Sequence, residues 1–277
     1  MNADQADFHG WIDPCESAKI RVHPRSILAL MRNIKLTISY DGTDFNGWQT
    51  QPGYRTVQET LEKAVAELTG ESRIRLNASG RTDAGVHAVG QVANFYTATH
   101  HPPGVILRAV NARLPADVSI RAAVEVPQAF DANHDALRKL YRYVIHDGPV
   151  PDLFLRRFSC YSRHPLDAAA MRRAAECLKG RHDFRCFETE WPNRMSSVRT
   201  ITHLGLSRMG EWLWLDVEAD GFLYNMVRAI AGTLMNVGRG YWPESRVAEI
   251  LEAGERALAG PTAPASGLFL MRVTYER

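Results

Sequence analysis

The chain has 277 residues, 33 basic and 31 acidic, is 45% apolar and 23% charged, and carries four widely spaced cysteines. It is long enough for one large domain or two ordinary ones with real cores. No apolar run approaches a membrane span, no C-x-x-C marks a zinc ribbon or redox pair, and no signal-peptide core opens the chain, so a cytoplasmic enzyme or binding protein with free thiols is expected.

Residues 1–32 show no sustained apolar period and are expected to form a loose extension. "IKLTISY" (34–40) alternates apolar and polar positions, which predicts a half-buried strand. "DGTDFNGWQTQPGYR" follows as a long loop. Thr56 and Glu59 have the spacing of a capping box, Val57, Leu61, Val65 and Leu68 share one helical face, and Gly70 is the stop signal. "RIRLNA" and "GQVANFY" read as strands, followed by a short helix near 105–113 and a strand at 118–126.

The second half echoes that order without repeating the sequence. "LYRYVIH" (140–146) alternates as a strand, and Asp167 is placed to cap a helix running through Met171, Ala174 and Leu178 to Gly180. "VRTITHLGLSRM" and "EWLWLDVEA" read as strands around a Met-Gly-Glu turn. "YNMVRAIAGTLMNVG" and "ESRVAEILEAG" read as helices, and "GLFLMRVTY" as a last strand. Two mixed units of this kind predict an α+β architecture with mainly antiparallel sheets. The expected organisation is a 1–32 extension, an N-terminal domain over 33–130 and a C-terminal domain over 131–277.

Charge is uneven along the chain. Residues 131–210 hold 14 basic against 9 acidic side chains, and 28 of the 33 basic residues are Arg. Arg suits phosphate contacts and base stacking, although genomic base composition produces the same bias.

"NASGRTDAGVHAVGQ" (77–91) sets Asp83 among Gly80, Arg81 and Gly85. Three readings of Asp83 stand side by side: a structural turn or helix cap, a metal ligand with His87, or a reactive carboxylate. The last requires an ionised group in a partly desolvated site, and so a cation to hold its pKa down. Arg81 is one such cation and Arg228 another. Arg228 lies in the apolar helix pattern "GFLYNMVRAIAGTLM", where Ala231 and Gly232, one turn on, leave room for another backbone. Tyr141 and Tyr143 share a strand face, as core aromatics or as a stacking platform for a base.

These residues together resemble the tRNA pseudouridine synthase A (TruA) family. "YDGTDFNGWQTQ", "RTVQETLEKAV", "GRTDAGVHA", "VNARLP", "KLYRYVI", "GFLYNMVR" and "SGLFL" follow one another in the family's order over residues 33–277. The resemblance implies that Asp83 is the nucleophile, Tyr141 the active-site tyrosine, Arg228 the partner of the Asp, Leu268 an apolar pocket residue and Arg81 an RNA contact. It implies isomerisation of uridines 38, 39 and 40 in the tRNA anticodon stem-loop by a homodimer that needs neither cofactor nor metal. It further implies two related ferredoxin-like α/β halves enclosing a central basic cleft, with the motif's glycines letting RNA backbone approach. A non-catalytic RNA-binding or tRNA-folding protein on the same fold is the alternative. Two departures stand out: Asn133 occupies a position where the family commonly has Arg, leaving Arg138 or Lys139 to replace it, and residues 1–32 are unmatched.

Overall fold

A computed structural model describes residues 31–189 and 196–275. Residues 1–30 of the expected extension lie outside the described residues, and its last residue, Arg32, already belongs to the first strand, paired with Thr97.

The first half runs β1 (Arg32–Tyr40), α1 (Val57–Thr69), β2 (Asn77–Ala78), β3 (His87–Thr97), α2 (Pro103–Asn111) and β4 (Val118–Val126). The second runs β5 (Arg138–His146), β6 (Cys160–Tyr161), α3 (Ala168–Ala175), β7 (Gly180–Asp183), β8 (Val198–Met209), β9 (Trp212–Ala219), α4 (Met226–Gly238), α5 (Arg246–Ala253) and β10 (Leu268–Thr274). The strands join into one sheet of order β4-β1-β3-β10-β5-β9-β8-β7, with β2 on β3 and β6 on β5. Strands β4-β1-β3-β2 form a ferredoxin-like set, and β10-β5-β9-β8 repeat the same positional order in the second half. The fold is α+β with two related halves. The halves do not carry separate sheets: β10 pairs antiparallel with β5 and parallel with β3, so the last strand joins them.

The periodic patterns form the core where expected. Ile34, Leu36 and Ile38 of β1 are fully buried, as are Val57, Leu61 and Val65 of α1. Gly70 ends α1 in the left-handed region at φ 71°, its N–H donating to the Ala66 carbonyl. Asp167 caps α3, accepting from the amides of Ala169 and Ala170.

Three local expectations are corrected. Thr56 is the N-cap of α1, but its hydroxyl makes no cap bond. The loop before the helix does that work: Val57 N–H donates to the Gly47 carbonyl at 3.2 Å and Gln58 N–H to the Trp48 carbonyl at 3.0 Å. "RIRLNA" supplies only two strand residues, because side chains of α1 take the ladder's place. Glu62 accepts from Leu76 N–H at 2.9 Å and Gln58 donates to the Leu76 carbonyl at 3.3 Å. Helix α3 stops at Ala175 and tightens into a 3₁₀ turn over Glu176–Leu178, well before Gly180.

The connection between the halves is pinned by amides rather than by apolar packing alone. Asn33 donates to the carbonyls of Pro127 and Phe130, Asn94 donates to Asn33, and Ala132 N–H donates to Asn94 Oδ1. Asp131 then accepts from the amides of Asn133 and His134. This chain of bonds brings residue 133 to a cleft between the halves.

Candidate active site

That cleft has a volume of about 1320 Å³. It exceeds the roughly 300–1,000 Å³ of small-molecule pockets, so it suits a larger ligand. The first half contributes residues from the loop and helix start between Asn46 and Gln58 and from the segment between Arg75 and Val86, and the second contributes Lys139, Tyr141, Phe222–Val227 and Leu268.

Asp83 reaches the cleft on a turn held by the loop between β1 and α1. Trp48 N–H donates to the Thr82 carbonyl at 3.0 Å, and Gly85 N–H to the Phe45 carbonyl at 3.3 Å. The Tyr40 and Thr82 hydroxyls share a buried 2.8 Å bond. Two glycines allow this contact. A Cβ on Gly42 would lie 1.9 Å from the Val86 carbonyl oxygen, and one on Gly47 2.7 Å from that of Thr82. Gly47 also takes φ 81°. The unusual "DGTDFNGWQ" loop is thus a brace for the Asp83 turn.

The motif's own glycines serve internal packing. Gly85 takes φ 76° against Ala265, and Gly80 clears the Lys139 side chain.

Arg228 faces Asp83. Its guanidinium Nη1 lies 3.7 Å from Asp83 Oδ2, with side chains 18% and 29% exposed. At that distance the contact is an ion pair beyond hydrogen-bond reach, not a bidentate clamp. The Arg is oriented by other groups: Nε donates to the Ala263 carbonyl at 2.7 Å and Nη1 to Asn225 Oδ1 at 2.8 Å. Asn225 sits at the start of α4 with φ 61°, a conformation Asn tolerates better than most residues. Gly232 supplies the predicted room. A Cβ there would meet the Pro261 carbonyl at 1.9 Å, so only glycine lets the 260–264 strap lie on α4 and present Ala263 to Arg228.

The balance at Asp83 differs from the expectation of a depressed pKa. Burial raises it above the ordinary Asp value, and the Arg228 charge offsets only part of that rise. Desolvation prevails because the ion pair is long and single.

Tyr141 lines the cleft and is 9% exposed, its ring edge-on to Phe222 at 4.9 Å. Burial first, then Tyr40 and Asp83, keeps the phenol protonated. Tyr143 takes no part: it is fully buried and donates to the Pro264 carbonyl at 2.8 Å. The pair divides into one cleft aromatic and one core aromatic. Leu268, 6% exposed, lines the cleft from the start of β10.

Arg81 is exposed on the cleft and makes no hydrogen bond or ion pair among the described residues. His87 lies outside the cleft. Its Nδ1 accepts from Gly42 N–H and lies 3.2 Å from Asp41, while its ring stacks on Phe269. Among the described residues no group of three His, Cys, Asp or Glu side chains is placed to hold a metal. Asn133 is exposed on the cleft wall. Sequence reasoning missed Phe222, Asn225 and the loop brace. Of these, Asn225 had a signal, a polar residue just ahead of the apolar helix run.

The sequence pattern of the tRNA pseudouridine synthase family matches residues 36–135 and 174–276. A tRNA pseudouridine synthase A of Pelobacter propionicus is 47% identical over 245 residues, 88% of this chain and 100% of that protein. The proteins of that name from Acetivibrio thermocellus and Brevibacillus brevis are 45% and 44% identical over the same shares of each chain. A solved Cbf5–Nop10–Gar1 complex aligns with 85% of this chain and 57% of its own at 11% identity and a TM-score of 0.35, too distant a likeness to argue from.

Proposed function

The chain belongs to the tRNA pseudouridine synthase A family, and from that premise we propose that it converts uridine to pseudouridine at positions 38, 39 and 40 of the tRNA anticodon stem-loop. Asp83 is the nucleophile in this reading. Its desolvated carboxylate, 3.7 Å from Arg228 on the wall of a cleft built by both halves, is the observation that carries it.

The reaction breaks the N1–C1′ bond, turns the uracil and joins C5 to C1′. The proton leaves C5 and N1 gains one, so the product is an isomer. A carboxylate either attacks the sugar or assists departure of the base, and both routes need it ionised. Arg228 supplies the positive charge that keeps Asp83 ionised while RNA shields the site. The target nucleotide must leave its stack, at a cost of a few kcal/mol. Tyr141 and Leu268 give the turned base an apolar wall, and Arg81, free and exposed, takes the RNA backbone. The enzyme works as a homodimer in the cytoplasm without cofactor, with residues 33–130 and 131–277 as its two domains.

The test is tRNA from a deletion strain, sequenced by a pseudouridine-specific chemistry. Uridines 38, 39 and 40 should be unmodified and regain pseudouridine on addition of the purified protein. Full modification in the deletion strain would refute the assignment.

A further inference from the structure

Three cations line the cleft among the described residues: Arg75, Arg81 and Lys139. The two arginines are exposed and solvated. Lys139 is half-buried, on β5 two positions before Tyr141, so the two side chains share a strand face roughly 6.6 Å apart along the strand.

A Cβ placed on Gly80 would lie 3.0 Å from Lys139 Nζ, so the ammonium rests over the backbone of the turn that carries Arg81 and Asp83. No carboxylate lies within 4.0 Å of it, and it donates no hydrogen bond, among the described residues. The carboxylates of the cleft are engaged elsewhere, Asp83 by Arg228 and Asp131 by the amides of Asn133 and His134. Burial first, then the Arg199 charge, pulls the Lys139 pKa below the usual lysine value. A partly desolvated ammonium without a counter-ion is unfavourable in the free protein. It is matched when a ligand brings an anion to it.

We propose that Lys139, seated over Gly80, binds a phosphodiester of the RNA backbone beside the target nucleotide. It is a positioning residue, acting through the RNA. The seat and Tyr141 are separated by about the reach of one nucleotide, so one nucleotide can occupy both. This inference rests on the RNA-isomerase reading above.

The experiment compares wild type, Lys139→Gln and Lys139→Arg in tRNA binding across a salt series, with thermal unfolding alongside. Lys139→Gln should weaken binding several-fold at 0.1 M salt and reduce the slope of log K against log salt by about 0.7–0.9, the loss of one phosphate contact. Lys139→Arg should restore most of both. The Gln variant should melt no lower than wild type, because an uncompensated charge is gone. Wild-type affinity and slope in Lys139→Gln would overturn the proposal. So would a binding loss that comes with a lower melting temperature and is not rescued by Arg. A wild-type protein that binds tRNA with a Lys139-dependent slope but isomerises no uridine would sink the enzymatic reading and leave the phosphate seat standing.

Discussion

Arg228 stands 3.7 Å from the Asp83 carboxylate while donating two short hydrogen bonds elsewhere, to Ala263 and Asn225. The guanidinium is therefore positioned by the protein before any substrate arrives, and Asp83 is left without a clamp. In the proposed reaction this leaves the carboxylate's lone pairs for the nucleotide, with charge stabilisation reaching it across a gap.

Arg228→Lys should lower turnover roughly 10- to 1000-fold, the scale of losing one well-oriented electrostatic contact. An ammonium is a point contact on a flexible stem and cannot serve Ala263, Asn225 and Asp83 with one fixed geometry. tRNA affinity should change much less. Single-turnover kinetics decides it; a wild-type rate would reduce Arg228 to a structural strut.

Asp83→Asn should abolish isomerisation and leave tRNA binding largely intact, since the amide keeps size but is no nucleophile. Tritium release from 5-tritiated uridine tRNA, read beside a binding assay, checks both. Residual activity within about tenfold of wild type contradicts the role, because covalent catalysis is worth far more. The same variant should melt at an equal or higher temperature at pH 7. The folded-state pKa of Asp83 is raised, so its favourable linkage exists at low pH and is lost as pH rises through that pKa. At neutral pH the charge is a burden that Asn removes.

The acid limb of the pH–rate profile should lie above the usual Asp range. Activity needs the carboxylate ionised, so the rate falls as pH drops through the raised pKa. Arg228→Gln removes the opposing charge and should move that limb to higher pH. A limb unmoved by Arg228→Gln would assign it to another group.

Gly232→Ala should destabilise the fold by about 1–3 kcal/mol, the usual penalty of overpacking. Its Cβ would meet the Pro261 carbonyl at 1.9 Å, backbone that can only move by displacing the strap. At roughly 2–4 °C per kcal/mol for a domain of this size, calorimetry should see the shift. Turnover should fall too, because Ala263 rides on that strap.

Much of the fold was legible because it is periodic. Ile34, Leu36 and Ile38 alternate, Val57, Leu61 and Val65 recur at helical spacing, and Gly70 and Asp167 are punctuation whose meaning is local. Two of the elements that failed did so because groups outside them took their hydrogen bonds. The Thr56 cap was displaced by the carbonyls of Gly47 and Trp48, and the 73–76 strand by side chains of α1.

The amino-acid sequence alone determined the order of elements, the α+β class, the family, and the short set of residues that meet at the cleft. Tertiary structure decided their relations. It joined two sheets into one through β10, sent Tyr141 to the cleft and Tyr143 to the core, and turned His87 toward Asp41. It also let burial outweigh Arg228 at Asp83. The physical reason is range: alternation, capping and turn chemistry act over a few residues and are written locally. Desolvation and charge pairing depend on which distant segments close around a group, and only the packed chain sets those distances.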